Sequence, residues 1–228
     1  MKILAIDTAT EACSAALYLD GEISEQYRVA PREHSHIILP MIEQLMVQAG
    51  IGLQDLDAVA FGRGPGSFMG VRIAAGVVQG IAFAWKLPVV PVSTLAAIAQ
   101  TANVQTGAAH VLAAIDARMN EVYWGAYSLS DAGHMRLVGE ELVIAPGRVR
   151  LPEQCEWSAA GTGWSAHGES LRKAIAPFEP ANQLDDCLPS AAAIARLAVA
   201  DFQAGRHVVA SQAVPVYLRD NVAKKPAG

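Results

Sequence analysis

Short, nearly continuous apolar runs alternate along this chain with longer stretches whose apolar positions recur every three or four residues, which predicts strands and helices in turn. Residues 3–7 read as a buried strand and residues 12–19 as a second. After the turn dipeptide Asp20-Gly21, residues 22–29 read as a third, so the chain opens on an antiparallel meander. Ile38, Met41, Ile42, Leu45, Met46 and Ala49 keep helical spacing up to Gly50, a fitting helix end, and Pro40 is most comfortable if it sits in the first turn. A strand over 58–61, a helix over 71–85, a strand over 89–92 and a helix over 93–102 complete an alternating series. Such alternation predicts an α/β layer structure.

The opening pattern returns. Leu4-Ala5-Ile6-Asp7-Thr8, a second strand and Asp20-Gly21 are echoed by Ala113-Ala114-Ile115-Asp116-Ala117, a strand over 125–129 and Asp131-Ala132-Gly133. Two hairpins that open two halves of one chain predict two related domains with a cleft or hinge between them, 1–105 and 106–228, divided near Gln105-Thr106-Gly107. The second half adds a strand over 135–144, a Pro/Gly-rich stretch over 146–152 and a helix over 190–203 stopped by Gly205. Its inventory is the poorer, so it reads as the reduced domain.

Composition narrows the classes. With 228 residues, 52% of them hydrophobic and 17% charged, the chain has ample material for a buried core. A net charge of -5 argues against a protein that grips nucleic acid over a broad basic face by itself, and the one basic pair, Lys224-Lys225, lies in a tail that reads as a solvated end. Cys13, Cys155 and Cys187 stand far apart with no Cys-x-x-Cys, which suggests neither a zinc site nor a disulfide framework and fits a reducing cytosol. The N-terminal apolar run meets Asp7 too early for a signal peptide. The longest apolar stretch, 71–85, carries Arg72 and Gln79 and is shorter than the ~20 residues of a membrane span, so no membrane association is expected.

The richest candidate for chemistry is Gly62-Arg63-Gly64-Pro65-Gly66-Ser67-Phe68-Met69-Gly70-Val71-Arg72, between the strand over 58–61 and the following helix. Four glycines let another backbone, an anion or a partner surface come close, and the first free N–H groups of the helix point outward. The alternative is a tight connection with no ligand. No Walker spacing and no lysine accompany the loop. Asp7 ends the first strand with Thr8 and Thr10 behind it, where phosphate-binding hairpins keep an acid and hydroxyls, though turn-capping would also explain them. Asp116 holds the matching place in the second half, followed by Ala117-Arg118 and no glycine pair. A possible ligand or phosphate-like set is therefore Asp7, Thr8, Thr10, Gly64, Gly66, Ser67, Arg72, Asp116 and Arg118. His34 and His36 face different directions on a helix and read as solvent-facing, and no metal site is expected. Ser67 lacks the flanking glycines of a nucleophile elbow.

The helix after the loop carries Gly70, Ala74, Ala75, Gly76, Gly80, Ala82 and Ala84, shallow faces on which another helix can come close. It is either an internal core or, with the helix before it, an interface formed by Ile38, Met41, Leu45, Gly70, Ala74, Val77, Val78 and Ile81.

Several motifs in fixed order carry a resemblance. They are Ile3-Leu4-Ala5-Ile6-Asp7-Thr8, Arg32-Glu33-His34-Ser35 with Leu39-Pro40, Gly64-Pro65-Gly66-Ser67-Phe68 with Gly70-Val71-Arg72-Ile73, Pro91-Val92-Ser93-Thr94-Leu95, Ile115-Asp116-Ala117-Arg118 with Glu121-Val122-Tyr123, Gly161-Thr162-Gly163-Trp164 and Pro215-Val216-Tyr217-Leu218-Arg219. By these the chain resembles, nearly end to end, the bacterial TsaB (YeaZ) family, accessory subunits of tRNA threonylcarbamoyladenosine synthesis. The resemblance implies an actin-like, Hsp70-like (ASKHA) fold of two duplicated α/β domains, the last helix and tail packing back on the first.

It also implies a division of labour. The family's catalytic sister, TsaD, binds a metal through a His-x-x-x-His pair just after the fifth strand and acts on threonylcarbamoyl adenylate. The corresponding run here is Thr94-Leu95-Ala96-Ala97-Ile98, with no metal ligand of that kind at either end. The implied function is a noncatalytic accessory subunit that binds a TsaD-type partner through the two long helices near the glycine loop and pairs with itself when that partner is absent. A TsaE-type ATPase joins at the junction, and tRNA is met only within the complex. No cofactor is expected beyond a weak or interface-shared nucleotide. Met69, commonly threonine in the family, and Ala74-Ala75, where a glycine commonly follows Arg72-Ile73, depart from the pattern and weaken a ligand role for the loop more than helix packing. The competing readings are a small ATP-binding or kinase-like enzyme of the same fold, and a peptidase.

Overall fold

The opening meander forms where its apolar runs predict it, as β1 (Lys2–Asp7), β2 (Ala12–Leu19) and β3 (Glu22–Val29), in a computed structural model that describes residues 1–152 and 155–219. The Lys224-Lys225 tail lies outside the described residues. β1 pairs antiparallel with β2 and parallel with β4 (Ala58–Gly62), with Leu4 opposite Val59; β5 (Val89–Val92) then lies parallel to β4. The first sheet thus runs β3-β2-β1-β4-β5. Its central strands are covered on both faces, which is why they read as unbroken apolar runs rather than alternating ones.

Two helices cover one face. α1 (His34–Ala49) ends at Gly50, whose left-handed φ of 65° lets its N–H turn back to the last carbonyls. Pro40 lies nearly two turns inside α1 rather than in its first turn; it is exposed, so the carbonyl that its missing N–H leaves open faces water. The helix begins as early as His34 because that imidazole is drawn under the β1–β2 turn. α2 (Phe68–Trp85) starts three residues before its apolar pattern does, capped by Ser67 Oγ, which accepts the Gly70 N–H at 3.4 Å. By length and composition α2 is the one helix among the described residues that could cross a membrane, but Val71, Ala74, Ala75, Val78 and Ala82 pack it against the first sheet, with Leu4, Phe61, Ile38 and Leu45 in the same core.

The second half repeats the plan. β6 (His110–Asp116), β7 (Val122–Leu129) and β8 (Met135–Ile144) form a meander, β9 (Ser158–Ala160) and β10 (Gln183–Leu184) add parallel to it, and the order is β10-β9-β6-β7-β8. The second sheet has as many strands as the first; only its two added parallel strands are shorter, three and two residues against five and four. Three- and two-residue strands are too short to show a period, so β9 and β10 escaped the sequence reading. α4 (Thr162–Ile175) was missed too, although Trp164, Gly168, Leu171 and Ile175 keep helical spacing on its buried face; its backbone is broken at His167. It buries Trp164 and Leu171 beneath the sheet with Trp157, and Trp164 Nε1–H donates to Leu112 O at 2.9 Å.

The remaining helices cross over. α3 (Thr94–Thr106), before the repeat, buries Leu95, Ile98 and Ala102 against Val111, Tyr127 and Met135 of the second sheet. α5 (Ala191–Gln203), from the end of the chain, buries Ile194 and Leu197 against Ile3, Ala60 and Val90 of the first. The layers run α1/α2, first sheet, α5 beside α3, second sheet, α4. The hairpin turns that end β1 and β6 are brought to one cleft.

Candidate functional site

Each glycine of the loop after β4 is explained by what lies against it. A Cβ on Gly66 would overlap Ala9 O, and one on Gly70 would overlap Thr8 O. The Ser67 N–H donates to Ala9 O at 2.7 Å, and Thr8 Oγ1–H donates to Gly70 O at 2.6 Å. Gly64, at φ 102°, accepts the Thr94 N–H at 3.0 Å and lies under Val216 O. Of the three occupants the sequence left open, the β1–β2 backbone is the one that fills the space. Ser67 Oγ caps α2, and the Arg72 guanidinium stacks 3.4 Å from the Phe68 ring centroid and 5.0 Å from that of Tyr217.

Asp7 and Thr8 are wholly buried and do not reach the cleft, a correction to their place in a ligand-facing set. Asp7 Oδ1 accepts the Ala9 N–H at 3.0 Å, while Oδ2 has no partner and lies so close to Gly62 that a Cβ there would overlap it. Burial pushes the Asp7 carboxyl up to about 7, against the lowering effect of the Ala9 N–H. His34 is likewise buried, contrary to its solvent-facing reading. Its Nε2–H donates to Thr10 O at 2.9 Å and Ala12 O at 3.2 Å, whereas His36 is exposed.

The cleft itself has a volume of about 760 Å³ and is bordered by Thr10, Arg32, Gly66 and Ser67 on one side and by Asp116, Arg118 and Thr162 on the other. Here the structure joins residues from both halves of the sequence set. Asp116 and Arg118 are paired with one another, while Arg32 forms no ion pair among the described residues. Asp116 Oδ1 accepts the Arg118 N–H at 3.0 Å and lies 3.3 Å from His167 Nε2, and Asp116 Oδ2 lies 3.4 Å from Arg118 Nη1. Arg219, which sequence reasoning listed only within a motif, pairs with Glu121 at the same rim. Among the described residues no group of three His, Cys, Asp or Glu side chains is placed to hold a metal ion.

The second candidate feature is the outer face of α1 and α2. Ile38, Leu45, Gly70, Ala74 and Val78 point into the chain's own core, which corrects their assignment as contact residues, and Met41, Val77 and Ile81 are half-buried. The exposed large apolar side chains are Leu39 and Val47 on α1 and Phe68, Met69, Phe83 and Trp85 on α2, Phe83 being 81% exposed. On the same side of α2 as Met69 and Phe83, Gly76 and Gly80, one turn apart, leave a strip on which an added Cβ would meet nothing within 4 Å. α2 is apolar nearly all round, which hides in the sequence the inward face of Gly70, Ala74 and Val78; on α1 the row of Ile38, Ile42, Leu45 and Met46 already marked the inward face. The exposed Gly76 and Gly80 at i and i+4 were the available signal.

Two like sheets, each a meander extended by two parallel strands, with exchanged helices and a cleft at the matching turns, define an actin-like (ASKHA-type) α/β protein. The family model described as "TsaD: tRNA N6-adenosine threonylcarbamoyltransferase" matches residues 22–227. The chain is 44% identical over 228 residues to the tRNA threonylcarbamoyladenosine biosynthesis protein TsaB of Escherichia coli, covering 99% of this chain and 97% of that one. It is 39% identical to the protein of the same name from Haemophilus influenzae, covering 99% and 96%. The solved structure of YeaZ from Pseudomonas aeruginosa superimposes with a TM-score of 0.90 at 49% identity, covering 95% of this chain and 99% of that one. A second structure from that organism, at the same TM-score and identity over 96% and 99%, is titled as similar to peptidase YeaZ. The chain belongs to the TsaB (YeaZ) family.

Proposed function

We propose that this protein serves tRNA threonylcarbamoyladenosine synthesis as a noncatalytic accessory subunit that docks on a TsaD-type catalytic subunit through the outer face of α1 and α2. The observation that carries the reading is that face: Met69 and Phe83 are exposed on the Gly76/Gly80 side of α2, and Leu39 and Val47 are exposed on the neighbouring α1, large apolar side chains of the kind that mark contact surfaces. The names of the relatives supply the pathway. The same face pairs two copies of the chain when the catalytic subunit is absent, a TsaE-type ATPase joins at the junction, and tRNA is bound by the assembly in the cytoplasm. The repeat halves, 1–105 and 106–228, are its two domains, tied by the exchange of α3 and α5.

A noncatalytic role is supported by the fate of the polar groups. Ser67 Oγ is engaged as a helix cap, the Asp116 carboxylate is shared by Arg118 and His167, and Thr94 and Ile98, both buried, stand where the resemblance puts the histidine pair of the catalytic sister. The test is size-exclusion co-elution of the full chain with a purified TsaD-type subunit, together with reconstitution of tRNA modification from threonylcarbamoyl adenylate with the ATPase and ATP. Phe83→Asp is expected to abolish co-elution and modification while leaving the circular dichroism melt of the isolated chain unchanged, because the side chain touches solvent on the free protein and a lone buried carboxylate costs several kcal/mol at an interface. Co-elution of the Phe83→Asp protein would move the docking face elsewhere; full modification without the protein would favour the stand-alone ATP-binding reading.

A further inference from the structure

After α5 the chain returns across the first half as an extended strap. Ala213, wholly buried in the core under α2, accepts a hydrogen bond from Gln79 Nε2 at 3.0 Å. Val216 N–H donates to Arg63 O at 2.8 Å, and the Tyr217 ring lies 6.1 Å from Phe68, with the Arg72 guanidinium over both. Two residues on, Arg219 reaches the second half. It pairs there with the Glu121 carboxylate, and its guanidinium nitrogens lie 3.5 Å from Arg118 O and from Met119 Sδ. The strap is therefore bonded to α2 at two levels and to the β6–β7 loop at its end.

That loop holds backbone that L-residues visit singly, not in runs: Arg118, Met119 and Asn120 have φ of 61°, 55° and 57°. Its ends are closed by the Ala117 N–H on Glu121 O at 3.0 Å and the Glu121 N–H on Arg118 O at 3.1 Å, and it is further held by the Asp116 side chain on the Arg118 N–H and by Arg219 at the Arg118 carbonyl and the Glu121 carboxylate. The Arg219 side chain is only 16% exposed, so its pair with Glu121 is more desolvated than an ordinary surface bridge. Two residues before Arg219, Tyr217 meets Arg72, which lies in one i, i+4 row with Gly76 and Gly80. A helix seated on the glycine strip meets Arg72 next.

We propose that residues 213–219 form a latch across the cleft, in which Arg219 holds the left-handed 118–120 loop in place and docking on α2 is transmitted to that loop through Arg72, Tyr217 and Arg219. The coupling rests on the docking face proposed above. A loop held in an uncommon backbone conformation by a side chain of the strap is placed to respond when the strap is displaced, which gives the two sites a contiguous physical connection.

Hydrogen–deuterium exchange on the full chain, alone and with the TsaD-type subunit, tests both parts. In the free chain Arg219→Ala is expected to speed exchange of the Arg118 and Glu121 amides at least tenfold and to leave α2 and the strands of both sheets unchanged. Arg219→Lys, which keeps the charge without the two-pronged reach, is expected to fall between. With the partner, the wild-type chain is expected to gain protection on α2 and to change at 117–121, whereas Arg219→Ala gains it on α2 alone. Equal loop exchange in the free wild-type and Arg219→Ala chains would overturn the latch. Protection of α2 with no change at 117–121 in the wild type, or with the same change in Arg219→Ala, would overturn the coupling. No protection of α2 at all would overturn the docking reading and the coupling with it, and the free-chain comparison would still decide the latch.

Discussion

Asp7 gives this protein a stability that falls as pH rises. Its carboxyl is wholly buried, one oxygen has no hydrogen-bond partner, and burial raises it from 3.8 to about 7. Between those values the folded chain holds a proton that the unfolded chain has lost, so raising the pH favours unfolding. A difference of roughly 3 pH units at about 1.4 kcal/mol per unit amounts to about 4 kcal/mol. That contribution is fully present below pH ~4, is lost as pH rises to about 7, and changes no further above it. Against a total stability of about 5–15 kcal/mol the loss is large. Asp7→Asn keeps the shape and the acceptor for the Ala9 N–H but cannot ionise. Urea unfolding of both proteins at pH 5, 6, 7 and 8, with the slope m checked for constancy, isolates this carboxyl from others that titrate, such as the half-buried Glu25. The Asn variant is expected to gain on the wild type by roughly 1 kcal/mol per pH unit from 5 to 7, with the two curves parallel above pH 8. Parallel curves from pH 5 onward would refute the argument and place solvent or a partner at Asp7 Oδ2.

Other substitutions probe the loop and the face. Gly76→Ala and Gly80→Ala put a methyl into open space on a helix, so each is expected to stabilise the isolated chain by up to about 1 kcal/mol while weakening self-association measured by analytical ultracentrifugation. Unchanged association would show that no helix seats on that strip. Gly66→Ala drives a Cβ into Ala9 O and is expected to cost about 3 kcal/mol or more in chemical denaturation; a near-neutral effect would mean that the loop and the β1–β2 turn are not packed as described. Ser67→Ala removes only the cap on the Gly70 N–H and is expected to cost about 0.5–1 kcal/mol without loss of tRNA modification in the reconstituted system, whereas an inactive but assembled complex would return a chemical role to Ser67.

How much of this was legible depended on length and on environment. β1, β2, β3, β5 and β8 are long enough, or bounded clearly enough, for their apolar runs to locate them, and the hairpin repeat pointed to two like halves. β9 and β10 took their strand character from neighbours in the sheet and are too short to leave a period, whereas α4 carried one in Trp164, Gly168, Leu171 and Ile175 that was passed over. In the candidate site, the glycine spacing signalled close approach correctly. The identity of what approaches, the Thr8-Ala9 backbone, depended on a contact about sixty residues away in sequence.

The amino-acid sequence by itself determined the alternation of elements, the duplicated hairpins and the glycine-rich turn after β4, because each is written in local backbone preference and apolar period. Tertiary structure alone decided which side of α2 is surface, which of the two strand-end aspartates is buried, and which sheet α3 and α5 cover. Those are choices among faces of equal apolar content. Only packing between segments distant in sequence, which removes one face from water and leaves the other in it, makes them differ.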